Sequence, residues 1–526
     1  MLIRELIEES ASKFADIKAV KWLEKKDIKE RSYKELGENV VLIRKGLKAE
    51  GFTNKHIAFV GESSVFWIEC FIGVITGSNV SVPLDFGLPT EDLVDLINRS
   101  DSEGLFVSLK KKGAIKDILE NCPKIKKIWI LSDKDDKALD AISKELDGVD
   151  GFNEKIEMYS ELKKSGVDSE DDSAPTAEKL ATIMFTSGTT GKSKGVMLSQ
   201  ENFATNVEAV AYGREPGLIM MSVLPIHHAF SLVMDWFNGL SKGASICIND
   251  SLMHMTRNMG IYKPQIMLMV PLMIETIYKQ IRAIDESVPK AMVKVKIFGE
   301  NLDTIFTGGA HLDPFYIEKF KEYGIDIYEG YGMSECSPVI SANMPEAHKA
   351  GSIGKPVSNA EIKFENGEIL VRGTSVMQGY YNMPEETSET LKDGWLHTGD
   401  KGYMDEDGFL FINGRVKNLI ILSNGENVSP EEIENKLGLT PLVGEIIITG
   451  ENNGLVAHIF PDRDYAQVKG LSEEDIATEL QKIIDEYDST QPSYKKIVSI
   501  VVRKNPFIKN STRKIKRQEV LVDEPQ

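Results

Sequence analysis

The segment from Phe185 to Gly195 reads FTSGTTGKSKG, and its residue types are those that hold phosphate. Its glycines expose backbone N–H groups, Thr186, Ser187, Thr189 and Thr190 offer hydroxyls, and Lys192 and Lys194 bring positive charge. The run Gly191-Lys192-Ser193 ends like a P-loop. That pattern, G-x-x-x-x-G-K-[ST], needs a further glycine at position 186, where threonine stands. A P-loop also leads from a strand directly into a helix. Here LATIMF (180–185) reads as a buried strand and GVMLS (195–199) as a second short apolar run. Helix signals begin only at Ser199, a residue suited to N-capping. The segment is therefore expected as a loop between two short strands, able to wrap a polyphosphate without a helix dipole. Composition alone is explained as well by a polar surface loop, so neighbouring clusters decide.

There are four. In YEGYGMSE (328–335), Gly330 and Gly332 let the backbone approach a ligand while Tyr331 offers a stacking face. Glu335 supplies a hard oxygen suited to Mg²⁺. In FTGGAHLD (306–313), Gly308, Gly309 and Ala310 make a second glycine-rich turn after a strand. Between Gly394 and Glu434, Asp400 sits in a Thr-Gly-Asp turn able to accept from two ribose hydroxyls, and Arg415 can reach the same sugar or a phosphate. The last cluster is STRKIKRQEV (511–520), with Lys514 inside a basic tail. Singly, each reads as an ordinary turn or a solvated face.

The bulk properties narrow the classes. A net charge of −19 on 526 residues argues against general nucleic-acid binding, which needs a basic face. Charge is nonetheless uneven: from Ser489 to Gln518 there is no acidic residue among many lysines and arginines, which suits a small anionic ligand. Cys70, Cys122, Cys247 and Cys336 stand far apart, against structural zinc or a disulfide scaffold and in keeping with a reducing compartment. MLIRELIEESASKF is an acidic amphipathic helix pattern rather than a signal peptide. IMLMVPLMI (266–274) is too short to span a membrane and is broken by Pro271. A cytoplasmic protein without a transmembrane segment is expected, peripheral membrane contact staying open. His227 and His228 are adjacent, so they cannot share a helix face as a metal pair.

Strand and helix patterns alternate through the first half: KHIAFVGE, SVFWIECFIGVITG, SNVSVPLD, TEDLVDLINRS, SEGLFVS. That rhythm predicts βαβ units and a mostly parallel sheet. The acidic stretch KKSGVDSEDDSAPTAE (163–178) reads as a connector to a second alternating region. Beyond about residue 355, Asn366-Gly367 and Asp407-Gly408 mark hairpins, hence an antiparallel patch or small β-barrel. After Arg415 a separate α+β lobe of about 110 residues is expected. The fold class is thus multi-domain α/β: a large N-terminal domain over 1–415, with subdomains near 1–165, 179–350 and 351–415, then a C-terminal lobe over 416–526.

In order and spacing these five segments resemble the AMP-forming adenylating superfamily of acyl-CoA synthetases, luciferases and peptide-synthetase adenylation domains. The likeness covers essentially the whole chain and is nearest in type to long-chain fatty acid–CoA ligases. It implies that Thr186 to Gly195, including Ser187, Gly188, Thr189, Thr190, Gly191 and Lys194, forms the phosphate loop closing on ATP. Gly308, Gly309 and Ala310, with Tyr331, Gly332 and Ser334, fall in the adenine-binding segments. Glu335 matches the Mg²⁺-binding glutamate, Asp400 the ribose-binding aspartate and Arg415 the nucleotide-contacting arginine. Lys417 falls at the hinge of a mobile C-terminal lobe, Gly425 where the pantetheine arm of CoA passes, and Lys514 at the lysine that serves adenylation. His228, in LPIHHAF, borders the acyl pocket. Ser193 replaces the usual proline of the phosphate loop, Arg513 a glycine before Lys514, and Ser334 the common threonine. No charged catalytic group is lost, which disfavours a nucleotide sensor that has given up the reaction.

The implied chemistry turns a carboxylic acid and ATP into acyl-AMP and pyrophosphate, then moves the acyl group to CoA. Two anions meet in the first step, so Mg²⁺ at Glu335 and the Lys514 ammonium are expected to offset charge. AMP is already a good leaving group, which leaves Cys336 to packing. Amino-acid-activating relatives carry an aspartate where this chain has Phe230, and Asp235 has no assigned role. A medium- or long-chain fatty acid is the first expectation. An aryl or other small hydrophobic acid, or transfer to a carrier-protein thiol, is the alternative.

Overall fold

The computed structural model describes residues 1–132, 142, 155–186, 193–210, 214–285, 287–422, 426–451, 454–509 and 515–520. Ser187, Gly188, Thr189, Thr190, Gly191, Gly425 and Lys514 lie outside the described residues. Two compact units divide the chain, Met1–Ile362 with Val371–Leu396, and Lys363–Leu370 with His397–Gln526.

The first unit contains two large sheets. In the eight-stranded one the neighbours run Gly379–Tyr380, Lys194–Ser199, Leu180–Thr186, Val80–Leu84, His56–Val60, Gly104–Ser108, Lys127–Leu131, Ile156–Met158. The strands His56–Val60, Val80–Leu84, Gly104–Ser108 and Lys127–Leu131 pair in parallel, as alternation with helices requires. Every side chain from Ile57 to Val60 is buried, so the strand reads as one apolar run, the mark of a sheet covered on both faces. Phe59 stacks on Phe106 at 5.0 Å and Phe106 on Trp129 at 4.8 Å between ring centres, filling one of those faces.

The nine-stranded sheet is ordered Lys355–Pro356, Val339–Ala342, Asp326–Gly332, Thr304–Thr307, Ile266–Met269, Ile219–Ser222, Ser245–Ile248, Lys18–Glu24, Asp27–Ser32. Four adjacent strands, Asp326–Gly332, Thr304–Thr307, Ile266–Met269 and Ile219–Ser222, run parallel and so present their carboxyl ends at one edge. That edge is where α/β sheets place their ligands.

The stretch 163–178 is more than a spacer. Its first residues end the helix Tyr159–Ser165, and its acidic centre is latched to the body of the unit. Buried Arg44 donates to both Asp171 carboxylate oxygens, at 2.6 and 2.5 Å, and to Thr76 at 3.2 Å. Asp172 accepts from the backbone and hydroxyl of Ser78 at 2.8 and 2.7 Å. Polar composition hid this, because the same residues that suit a linker also satisfy a buried guanidinium.

In the second unit the antiparallel patch is present. Asn366 and Gly367 both take positive φ, 51° and 79°, as a two-residue hairpin demands. Gly402 N–H donates to Gly367 O at 3.0 Å, and strand Trp395–Met404 pairs antiparallel with Leu410–Arg415. Strands Val443–Glu451, Gly454–Pro461 and Ile497–Val502 form a separate sheet. Helices Pro430–Leu437 and Glu473–Ser489 pack on it through Ile433, Leu437, Ile476, Leu480 and Ile484, the α+β composition expected after Arg415. Among the described residues no helix is long and apolar enough to cross a membrane.

Candidate active site

Leu180–Thr186 and Lys194–Ser199 are antiparallel neighbours, and Thr186 faces Lys194 where the loop leaves the pair. The P-loop alternative is thereby excluded: the second arm is a strand, and the helix Gln200–Ala209 starts only after Ser199, whose hydroxyl accepts from Asn202 N–H. Glycine at 195 is a packing requirement, because a Cβ there would stand 2.8 Å from Ile183.

At the carboxyl edge of the second sheet, Gly308 follows Thr304–Thr307 and lies beside Gly330. A Cβ at 308 would fall 2.9 Å from Gly330 O and 3.7 Å from the Phe230 ring, so the glycine lets the LPIHHAF segment and the YEGYG strand close on this turn. Tyr331 is half-buried on that strand and pairs with Ser341. Gly332 is stricter still, for its Cβ would come within 2.0 Å of Pro338 O. Gly309 and Ala310 extend the turn into exposed positions. His228 is half-buried, with its ring 4.2 Å from that of His227. Burial and the neighbouring His228 lower His227 to about 3, so that imidazole stays neutral.

Ser334 and Glu335 lie in a short 3₁₀ turn after Gly332. The Glu335 carboxylate is buried and accepts from the Tyr380 hydroxyl at 2.9 Å. Its backbone carbonyl takes Met377 N–H at 2.8 Å. Asn206, from the helix capped by Ser199, brackets the following residues through Val339 O at 2.8 Å and Val339 N–H at 3.2 Å. Cys336 is fully buried, and burial, then the Glu335 charge, push its thiol well above the usual range. It is a packed thiol, as the sequence suggests.

The first unit thus brings together Thr186 with Lys194, Gly308 with Phe230 and Gly330, and Glu335 with a tyrosine the sequence did not single out. The second unit carries Asp400, Arg415 and Lys417. Asp400 and Arg415 are cross-strand partners, with Arg415 Nε donating to Asp400 Oδ1 at 2.7 Å. Asp400 is buried and its turn is fixed by Thr398, whose hydroxyl accepts from Asp400 N–H at 3.1 Å and donates to Ile369 O at 2.7 Å. Lys417 lies in the 3₁₀ turn Val416–Asn418.

Asp235, unassigned by sequence, is buried on a π-helical segment, Ser231–Phe237. One carboxylate oxygen accepts from Ser222 at 2.9 Å and Ser231 at 3.2 Å, while the other has no hydrogen-bond partner among the described residues. Burial pushes this carboxyl up to about 7. Buried Glu329, one position before Gly330, is raised to about 8 for the same reason, and its Oε1 accepts from Leu312 N–H at 3.4 Å.

The family described as AMP-binding enzyme matches residues 7–381, and its C-terminal domain matches residues 417–523. Long-chain-fatty-acid–CoA ligase 5 of Mus musculus is 28% identical over 573 residues, covering 93% of this chain and 82% of the relative. A long-chain-fatty-acid–CoA ligase of Salmonella typhimurium is 34% identical over 303 residues, 53% of this chain and 51% of the relative, so that match spans about half of each. Among solved structures, an anthranilate CoA ligase in complex with anthranoyl-AMP superposes with a TM-score of 0.82 at 18% identity, over 99% of this chain and 97% of the other. An o-succinylbenzoate CoA synthetase from Bacillus subtilis, in complex with ATP and magnesium ion, gives 0.75 at 22% identity, over 98% and 99%. The structural likenesses speak to the fold, and the family match to descent: the chain belongs to the AMP-binding enzyme family.

Proposed function

We propose that the protein is an acyl-CoA synthetase that activates a medium- or long-chain fatty acid with ATP and passes it to CoA. What carries this reading is the match to a long-chain-fatty-acid–CoA ligase over 93% of the chain. A carboxylate oxygen of the acid attacks the α-phosphorus and pyrophosphate leaves; the CoA sulfur then attacks the acyl carbon and AMP leaves. Thr186, Lys194 and the loop Ser187–Gly191 take the β- and γ-phosphates. Gly308, Gly309, Ala310, Gly332 and Ser334 shape the adenine pocket, with Tyr331 stacking on the base. Asp400 accepts from the ribose hydroxyls and Arg415 steadies it. Lys514 offsets charge at the α-phosphate, Lys417 is the hinge over which the 416–526 lobe turns, and Gly425 leaves room for the pantetheine arm. His228 and Phe230 line the acyl pocket.

Mg²⁺ fits as a partner of ATP rather than as a resident ion. Among the described residues no group of three His, Cys, Asp or Glu side chains could hold a metal. One carboxylate plus substrate phosphates is a usual Mg²⁺ environment, and Glu335 supplies that carboxylate. When bound, the cation lowers the negative charge that the incoming carboxylate must approach. All four cysteines are free thiols, in keeping with a cytoplasmic setting.

The test is acid-dependent pyrophosphate–ATP exchange across a panel of fatty, aryl and amino acids. Exchange greatest with medium- and long-chain fatty acids is expected. Exchange driven only by aryl or amino acids would defeat the substrate assignment, and none with any acid would defeat the reaction.

A further inference from the structure

The contact between Glu335 and Tyr380 ties two candidate phosphate-handling elements to one side chain. Tyr380 lies on the two-residue strand Gly379–Tyr380, which pairs antiparallel with Lys194–Ser199 and sets Tyr380 opposite Val196. Lys194, at the mouth of the 187–192 loop, holds its ammonium 4.7 Å from the centre of the Tyr380 ring. The hydroxyl at the other end of that ring donates to Glu335 Oε1 at 2.9 Å. The tyrosine is itself anchored: its N–H donates to Thr387 Oγ1 at 2.9 Å, and Tyr381 N–H closes on Gly195 O at 2.8 Å.

Resting on the nucleotide reading above, we infer that Tyr380 is a positioning residue that presents Glu335 and Lys194 in one fixed relation to a divalent cation bound on a polyphosphate. The ring holds the lysine on its face and the hydroxyl holds the carboxylate at its tip. Neither long side chain then has to be ordered at the moment ATP arrives, which removes part of the entropic cost of binding. A carboxylate fixed by a neighbouring donor is the usual support for a metal-binding oxygen.

Tyr380→Phe keeps the ring, its packing and the Lys194 contact, and removes only the hydroxyl. Calorimetric titration of the whole chain with Mn²⁺·ATP, and separately with AMP, reads the two parts of the nucleotide apart. Mn²⁺·ATP is expected to bind about tenfold more weakly or worse, the usual effect of removing the donor that supports a metal-binding carboxylate. AMP, which lacks the β- and γ-phosphates, is expected to bind as before. In a Glu335→Gln background the same substitution should add little, because it acts through that carboxylate. Unchanged Mn²⁺·ATP affinity, equal weakening of Mn²⁺·ATP and AMP, or full additivity with Glu335→Gln would each overturn the assignment. A wild-type chain that binds neither nucleotide would instead fail the reading on which it rests.

Discussion

Asp400→Asn separates the proposed ribose contact from structural support. The carboxylate pairs with Arg415 at 2.7 Å, but the arginine side chain is 51% exposed against 8% for the aspartate. Solvent screens such a half-open pair, so its loss should lower stability by only about 0.5–1 kcal/mol. Asparagine preserves the shape, and the bond from Asp400 N–H to Thr398 does not involve the side chain. Two ribose hydroxyls donating to a carboxylate would each contribute about 1.5–3 kcal/mol. Asparagine keeps one carbonyl acceptor, so roughly one such bond is lost and AMP should bind about 10–150-fold more weakly. The assay is titration of both proteins with AMP and with 2′,3′-dideoxy-AMP. Wild type should favour AMP strongly, while the variant should keep only the part of that preference that one remaining hydrogen bond supplies. A variant that retains the wild-type preference would show that Asp400 does not read the sugar, whatever its effect on melting.

Three further outcomes are expected. Lys514→Ala should cripple pyrophosphate exchange by two or more orders of magnitude (roughly, for one electrostatic group), yet largely spare CoA transfer from preformed acyl-AMP; equal loss in both half-reactions would remove its assigned role. Gly332→Ala places a methyl 2.0 Å from Pro338 O, and denaturant unfolding should report a loss of about 3 kcal/mol or more; a loss below about 1 kcal/mol would mean the strand can shift aside. Asp235, raised to about 7, binds a proton in the folded chain that the unfolded chain has already released above about pH 4, so its contribution to stability falls as pH rises toward 7. Asp235→Asn should therefore match wild type below about pH 4 and gain on it between about pH 4 and pH 7, by up to about 1.4 kcal/mol per pH unit, with little further gain above that; a gap independent of pH would contradict a buried neutral acid.

Local chemistry was the legible part of this protein. Ser199 announces a helix start because its hydroxyl answers an orphan N–H three residues on, and Asn366-Gly367 announces a hairpin because few other residues tolerate positive φ. The glycines at 308 and 332 were visible as turns, although only the fold reveals that two carbonyl groups are what exclude a side chain there. Tyr380 could not be picked out: its role comes from pairing with Val196, a register that no local pattern records. Arg44 and Asp171 were hidden for the same reason, since each looks like a solvated charge until the chain folds them together. Asp235 had no role that its sequence neighbours could assign, and burial is what changes its chemistry.

The eight-stranded sheet also has a history written into its strand order. Its middle is laid down by residues 56–131, yet the strands that finish one side come from 180–199 and from Gly379–Tyr380. During synthesis the ribosome must therefore deliver some 250 further residues (roughly) before that border is sealed, which at about 5–20 residues per second leaves a raw strand edge uncovered for tens of seconds. Over that interval the nascent chain offers any passing peptide a ready hydrogen-bonding template, so shielding by cellular chaperones should matter more for making this protein than for keeping it folded.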